Sequence, residues 1–474
     1  MFYTLQGGKK TQVSAADNRR LLRWRTSTFW VMLIGYVGYY ICRGNLSAAF
    51  PLLEQEFGYN NTQLGLIAFY SEMAYAAGKF INGPLADRFG GRRMFLLGMV
   101  GAIFWNLVFS VSASLVAFIL VWCCCRYFLS MGWGGLTKTI GNWYPSDRNG
   151  TVMGLISINF QFGGVAATLF AGLLVALGVG WQGLFIYPAI VLAIILVWSY
   201  FSSRSYPRDV VAGARVEQGA QKKTQLADYG SEESGGSEEI VGSEKIDDAE
   251  NGSDAGDDKN PSVSTILKTL IRLPIYRQLL VFSFLTTLLR SVFLFWTPKF
   301  LFDIGLGTTS AILRSAIFPL LGVLGTVFIG WYTDHHAKNG DRARMMWMML
   351  SVLVLCTLAI SVLSAEESPN FNLILFFLGA SGFFLLGPYS MSSGCLTLDI
   401  AGAKGAGSCS GIIDGMGYIG GAIAAFAAGI MSDNLGWSQV FLALTGFAVI
   451  STISAWFMSR GFQRMAQQSQ GSSE

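Results

Sequence analysis

Two arginines stand near the middle of long apolar runs, where a charge is costly to hold. Arg43 and Arg290 each lie about ten residues from the nearer end of their run, a depth of roughly 15 Å at about 1.5 Å of helical rise per residue. That is the limit of what a snorkelling side chain spans. An arginine kept at such a depth costs about 2.5–3.5 kcal/mol on insertion scales. A guanidinium is the side chain best shaped for bidentate binding of a phosphoryl or carboxylate group. The pair therefore predicts an anion site in a cavity within the membrane. The competing expectation is that a buried acid neutralises each arginine and the pair braces helices.

Three further charges fall in apolar runs: Glu72, Arg126 and Asp414. Glu72 and Lys79 are seven positions apart, on one helical face two turns apart, and so are expected to bear on one network. Asp414 is expected to neutralise Arg126 or Lys138. Such carboxylates serve either as structural ion pairs or as protonatable groups that couple transport to a proton gradient.

The elements that must position these charges follow from composition. Of 474 residues, 52% are hydrophobic and 13% charged, against about 25% charged in soluble chains. A net charge of +4 and 56 glycines suit a bundle whose helices approach through small residues. The seven cysteines form no C-x-x-C pair, and the two histidines, His335 and His336, adjoin in a polar loop; neither a zinc site, a disulfide framework nor a histidine cluster inside the membrane is expected. A span needs roughly 20 mostly apolar residues. Such stretches start near Thr28, Thr62, Met94, Leu115, Gly150, Trp181, Leu279, Thr308, Met345, Phe371, Ala406 and Ser438. The reading is an all-α polytopic membrane protein of twelve helices in two six-helix halves.

Basic residues alternate between loops. Arg88, Arg92, Arg93, Lys138, Arg148, Lys338, Arg342, Arg344 and Lys404 fall on one side, while the loops around Glu54–Thr62, Gly305–Thr308 and Asp433–Gly436 carry no Lys or Arg. The positive-inside rule then places both termini in the cytosol. The polar, basic stretch 1–27 reads as a cytosolic tail rather than a signal peptide. Residues 28–203 and 263–458 form the halves, and 459–474 a cytosolic C-terminal tail. Residues 204–262, rich in Gly, Ser, Asp and Glu, are expected to be a disordered acidic linker.

The halves are related copies. Gly83-Pro-Leu-Ala-Asp87 recurs as Gly330-Trp-Tyr-Thr-Asp334, and Gly150, Gly154, Gly163, Gly164 and Gly172 recur as Gly407, Gly411, Gly420, Gly421 and Gly429. Each arginine precedes its aspartate, Asp87 or Asp334, by 44 positions. Arg43 and Arg290 thus occupy matching places and should face one cavity across a pseudo-two-fold axis.

Gly83-x-x-x-Asp87-Arg88-x-x-Gly91-Arg92-Arg93 resembles the signature loop of the major facilitator superfamily. Gly35-Tyr-x-x-Tyr39-Tyr40-x-x-Arg43-x-Asn45, Tyr75-Ala-Ala-Gly-Lys79, Gly132-Trp133-Gly134-Gly135-Leu-Thr-Lys138 and Trp296-Thr-Pro298 resemble its organophosphate:phosphate antiporter family. The resemblance covers both halves and not the linker. It implies an alternating-access exchanger of a phosphate ester, a sugar phosphate or glycerol 3-phosphate, for inorganic phosphate, with Arg43 and Arg290 on the phosphoryl group. Tyr39, Tyr75, Lys79, Trp133, Lys138, Asn159 and Gln161 complete the expected binding set. Asp87, Arg88, Arg92 and Asp334 are expected to latch conformations. The chain departs from the family's G-W-P-P at Gly134 and Gly135, and carries Gly44 and Phe160 where that family often has a basic and a polar residue.

Gly415-Met-Gly417-Tyr-Ile-Gly420 satisfies G-x-G-x-x-G but lies in an apolar span with no strand before it, so helix packing is the expectation. Walker A spacing is absent, which argues against ATP-driven transport. No nucleophile–base set points to an enzyme. No cofactor, metal or nucleic acid is expected; the partners are the lipid bilayer, a phosphate ester and inorganic phosphate. A monomer in the plasma or cell inner membrane is the expected state. A proton-coupled organic-anion symporter and a transceptor are the alternatives.

Overall fold

The computed structural model describes residues 3–5, 14–216, 274–336, 341–392 and 395–471. The first half comprises α1 (Ala15–Phe57), α2 (Asn61–Phe89), α3 (Gly91–Ser110), α4 (Leu115–Leu129), α5 (Met131–Gly141), α6 (Ser146–Ala176) and α7 (Gly183–Ser202). The second comprises α8 (Pro274–Asp303), α9 (Thr308–Ser315), α10 (Ile317–His336), α11 (Ala343–Leu363), α12 (Phe371–Ser392), α13 (Cys395–Leu435) and α14 (Trp437–Gly471). Only Ser130 separates α4 from α5, and only Ala316 separates α9 from α10. The described residues therefore form twelve rods. Nine helices among these residues are long and apolar enough to cross a membrane, and α1, α2 and α6 complete the set.

Local chemistry sets the ends. The Ser14 hydroxyl accepts from the Asp17 N–H at 3.1 Å to open α1, and Gly58, at φ 67°, closes it by donating to the Glu54 carbonyl. That left-handed conformation is open to glycine at no steric cost. Asn60 and Gln63 form a reciprocal capping box that starts α2.

The repeat is visible in the packing. Gly163 of α6 lets Tyr40 of α1 approach, and its counterpart Gly420 of α13 lets Phe284 of α8 approach; at either, a Cβ would lie under 3 Å from its neighbour. Small residues carry such contacts because helices in lipid associate by close packing.

The halves meet along α2 and α13 and are sealed at one end by polar groups. Glu54 of α1 pairs with Lys299 of α8 at 2.9 Å, and Lys299 also binds Asp303. Trp437 donates its indole N–H to Asp303 at 2.9 Å. At the same end the Asp433 carboxylate accepts from the backbone N–H groups of Asn61 and Thr62.

Three boundaries differ from expectation. Residues 204–216, expected to open the linker, are built into the first half. Trp143 donates its indole N–H to the Arg204 carbonyl at 2.9 Å, Pro207–Asp209 form a 3₁₀ turn, and Ala214–Val216 pair antiparallel with Tyr3–Leu5 as strands β2 and β1. Leu21, Trp143 and Ala214 form a small apolar cluster beneath. That buried surface offsets the ordering entropy that composition alone argued could not be met. The helix α1 likewise begins thirteen residues before Thr28, at Ala15, and α14 carries the chain into the expected tail as far as Gly471. Linker residues 217–262 lie outside the described residues.

Candidate functional site

Arg43 projects from α1 into a ring of tyrosines. Its guanidinium carbon lies 4.7 Å from the centre of the Tyr75 ring, 5.4 Å from Tyr40 and 5.5 Å from Tyr418. One Nη donates to the Tyr418 hydroxyl at 3.5 Å. Helical spacing explains the arrangement: Tyr36, Tyr39, Tyr40 and Arg43 fall on successive turns of one face. Tyr36, Tyr39, Tyr40, Arg43, Tyr75 and Leu129 line a narrow cavity of about 10 Å³, room for about one water.

Arg290 comes from the matching place on α8 and is 3% exposed. It stacks on Tyr389 at 4.6 Å. Among the described residues no carboxylate lies within ion-pair distance of it. Tyr40 and Tyr418 both lie within Coulombic reach of both arginines, and Tyr75 meets Tyr418 edge-on across the seam at 4.6 Å. The two guanidiniums thus share one aromatic enclosure, with a tyrosine from each half between them. Aromatic faces stabilise a desolvated cation by roughly 2 kcal/mol or more, yet leave its N–H donors unspent.

The other buried charges form a network. Glu72 binds Arg126, and its Oε1 also lies 3.8 Å from Arg43; Lys79 joins them through the Tyr75 ring. Asp414 stands 3.8 Å from Lys79, across the seam. Spacing along α2 puts Glu72 and Lys79 on one face correctly, but Tyr75 stands between them. The Tyr75 ring carries Arg43, Arg126 and Lys79 around it, at 4.7, 4.3 and 5.4 Å. The acids are drawn to whichever cation lies across the helix interface, which spacing within one helix does not reveal.

The surroundings of the other expected residues vary. The Tyr39 hydroxyl is spent on the Phe95 carbonyl. Trp133 packs on Tyr36, ring centres 5.4 Å apart. Lys138 borders Gly91, a Cβ on which would meet the Lys138 Cβ at 2.8 Å. Asn159 is buried, and both of its amide atoms lack partners among the described residues. Arg92 donates to the Tyr200 carbonyl and the Ser203 hydroxyl, tying α3 to α7 within one half. Arg88 lies exposed beside Phe89. The side chains of Asp87, Asp334 and Gln161 lie outside the described residues.

Tyr40, Tyr389 and Tyr418 belong to the enclosure although none entered the expected binding set. The first has a signal, its i−3 spacing to Arg43; Tyr389 and Tyr418 are brought in by tertiary packing. Gly135 also gains a reason. A Cβ on Gly135 would stand 2.7 Å from the Gly91 carbonyl oxygen and 2.8 Å from the Phe95 nitrogen, so α5 and α3 touch backbone to backbone there.

Comparison with known proteins agrees with this architecture. The chain is 26% identical over 440 residues to a probable hexose phosphate transport protein of Chlamydia trachomatis, covering 91% of this chain and 90% of that one. It is 26% identical to the glycerol-3-phosphate transporter of Bacillus subtilis, covering 91% of each, and 24% identical to a glucose-6-phosphate exchanger of Mus musculus, covering 80% and 76%. In fold it is similar to a bacterial homologue of the lysosomal transporter Spinster in an inward-facing, unoccupied conformation, with a TM-score of 0.70 at 15% identity over 93% of this chain and 98% of that one. Twelve rods in two matching halves, a paired arginine at their centre and a family match over residues 32–425 together make this multi-pass membrane protein a member of the Major Facilitator Superfamily.

Proposed function

We propose that this carrier exchanges a phosphorylated organic anion, a sugar phosphate or glycerol 3-phosphate, for inorganic phosphate by alternating access. The observation that carries the reading is the pair Arg43 and Arg290, one from each half, held among tyrosines, with no carboxylate within ion-pair distance of Arg290 among the described residues. The relatives named as hexose phosphate and glycerol-3-phosphate transporters support the substrate class. Tyr75, Lys79 and Asn159 stand as further substrate contacts; Tyr40 and Tyr418 join them.

The mechanism follows from charge. An empty site holds two guanidiniums whose repulsion grows as the halves close on it, since two like charges in a medium of low dielectric repel strongly. A phosphoryl dianion between them removes that penalty, so the loaded carrier reorients and the empty one stalls. The polar seal at Glu54, Lys299, Asp303 and Asp433 closes the outer face, with both termini on the cytosolic side by the distribution of basic loops. Tyrosine hydroxyls and ring faces suit a polyol beyond the phosphate. The carrier performs transport rather than catalysis and functions as a monomer in the plasma or cell inner membrane.

The test is counterflow. Proteoliposomes loaded with phosphate should take up labelled phosphate, and external sugar phosphates or glycerol 3-phosphate should compete with it. Uptake that needs a proton gradient and no internal phosphate would replace exchange with symport.

A further inference from the structure

One carboxylate in the enclosure is shared unequally between two arginines. Glu72 of α2 and Arg126 of α4 are each 1% exposed, and Arg126 donates from Nη2 to Glu72 Oε1. Arg43 Nη2 stands 3.8 Å from that same oxygen, inside Coulombic reach and outside hydrogen-bond distance. The pair is also incomplete. Among the described residues Glu72 Oε2 is buried with no hydrogen-bond partner, and so are Arg126 Nε and Nη1. A buried carboxylate has room for more donors than this one has, and a guanidinium has five N–H groups to give. Tyr75 fixes the spacing, carrying Arg43 at 4.7 Å and Arg126 at 4.3 Å from its ring centre.

A carboxylate and a phosphoryl group offer a guanidinium the same thing, paired anionic oxygens in one plane. Closing the gap from Glu72 to Arg43 takes a shift of about 1 Å to normal hydrogen-bond length, well within what one rotatable side chain provides. Glu72 is therefore an internal competitor for the cation that, on the reading given above, receives the phosphate. Arg126 is what keeps it away.

We propose that Arg126 sets the anion affinity of Arg43 by retaining Glu72 as its own counter-ion, and that Glu72 moves onto Arg43 when the site is empty. The proposal rests on the reading of Arg43 as a phosphate-binding residue. Both residues are positioning residues: they touch Arg43 or each other, not the transported anion. In the empty carrier Glu72 shields Arg43 in part at the expense of Arg126, so the cluster keeps its net positive charge and still resists closure against Arg290, and an arriving phosphate displaces Glu72 back to Arg126. On departure Glu72 helps to detach the anion. A brace between α2 and α4 needs the ion pair but assigns no direction to a change in phosphate affinity.

The experiment is equilibrium binding of radiolabelled inorganic phosphate to the purified full chain, with exchange measured on the same variants in proteoliposomes. Arg126→Gln frees Glu72 to occupy Arg43, and phosphate binding should weaken about tenfold, one factor of about 1.4 kcal/mol. Adding Glu72→Gln in that background removes the competitor without leaving a lone buried charge, and binding should return to the wild-type level or better. Glu72→Gln alone should tighten binding and slow exchange, because release loses its displacing group. Recovery in the double variant would establish the competition even where one single variant folds poorly. A double variant that binds as weakly as Arg126→Gln would overturn the proposal, and so would single variants that shift affinity in the same direction. Arg43→Gln is measured in parallel. Undiminished phosphate binding there would sink the reading of Arg43 itself, a separate result from failure of the competition.

Discussion

Thr62 and Asp433 belong to different halves, yet Asp433 helps to cap the first turn of the helix that carries Thr62. Its Oδ2 accepts from the Thr62 N–H at 2.7 Å and from the Thr62 hydroxyl at 2.6 Å, and its Oδ1 from the Asn61 N–H at 3.1 Å. The first N–H groups of a helix have no partner within it, and a carboxylate there also meets the positive end of the helix dipole. Here the partner is lent by α13. The cap exists only while this end is closed, so its stabilisation belongs to one conformation.

Asp433→Ala should therefore shift the carrier toward opening at this end. A side-chain cap contributes about 0.5–2 kcal/mol, which changes the ratio of states by roughly twofold to thirtyfold. A cysteine placed at Leu306, buried beside the seal, should react correspondingly faster with a membrane-impermeant thiol reagent in the Asp433→Ala background. Asp433→Asn should react at an intermediate rate, since its one amide oxygen can replace only one of the two accepting carboxylate oxygens. Equal labelling in all three would show that the cap does not hold the gate.

Arg43→Lys and Arg290→Lys keep the charge and lose the planar fork. Loss of a charge-assisted hydrogen bond costs about 1.5–3 kcal/mol, so phosphate binding should fall roughly tenfold to a hundredfold in each. Detergent melting temperatures should stay near the original. Binding that is unchanged in both variants would remove the arginine pair from the site.

The backbone contact between α3 and α5 makes two adjacent glycines unequal. Gly135→Ala drives a Cβ to 2.7 Å from the Gly91 oxygen, whereas at Gly134 the nearest atom, the Ala86 Cβ, is 4.0 Å away. Overpacking of this kind costs about 1–3 kcal/mol. Thermal unfolding in detergent should show a lowered midpoint for Gly135→Ala and an unchanged one for Gly134→Ala; equal midpoints would count against the close approach.

Replacement of residues 218–258 by a flexible spacer of similar length should preserve both folding and exchange, since their composition offers no core. Size-exclusion chromatography and counterflow read the two properties separately. A loss of monodisperse protein would reveal a domain, and a loss of flux alone a regulatory segment.

Much of the architecture was legible because membranes impose a simple arithmetic. A charge in an apolar run cannot be hidden by composition, so Arg43, Glu72, Arg126, Arg290 and Asp414 announced themselves. Their equal spacing to Asp87 and Asp334 then placed the two arginines opposite one another. Partnerships were harder. Asp414 meets Lys79 and Glu72 meets Arg126 because of how α13 lies on α2 and α2 on α4, and no periodicity within one helix encodes that. The polar seal was missed for a related reason: Lys299 and Asp303 read locally as an i, i+4 pair on one helix, and only the fold brings Glu54 to complete them. Residues 204–216 were misjudged because their few apolar side chains find surface in Trp143 and Leu21, far away in sequence.

The small ribbon of β1 and β2 gives the first half an unusual property. Residues 3–5 and 214–216 are hydrogen-bonded to each other, so the chain enters and leaves this half at a single knot. Slack or tension in the segment beyond Val216 is then delivered to that knot and not to the end of α7. The half keeps its own ends tied whatever becomes of the covalent connection, and the seam of α2 against α13 is left as the true junction. The two halves, made as separate polypeptides, should therefore still reassemble, which co-purification of the co-expressed pieces would check.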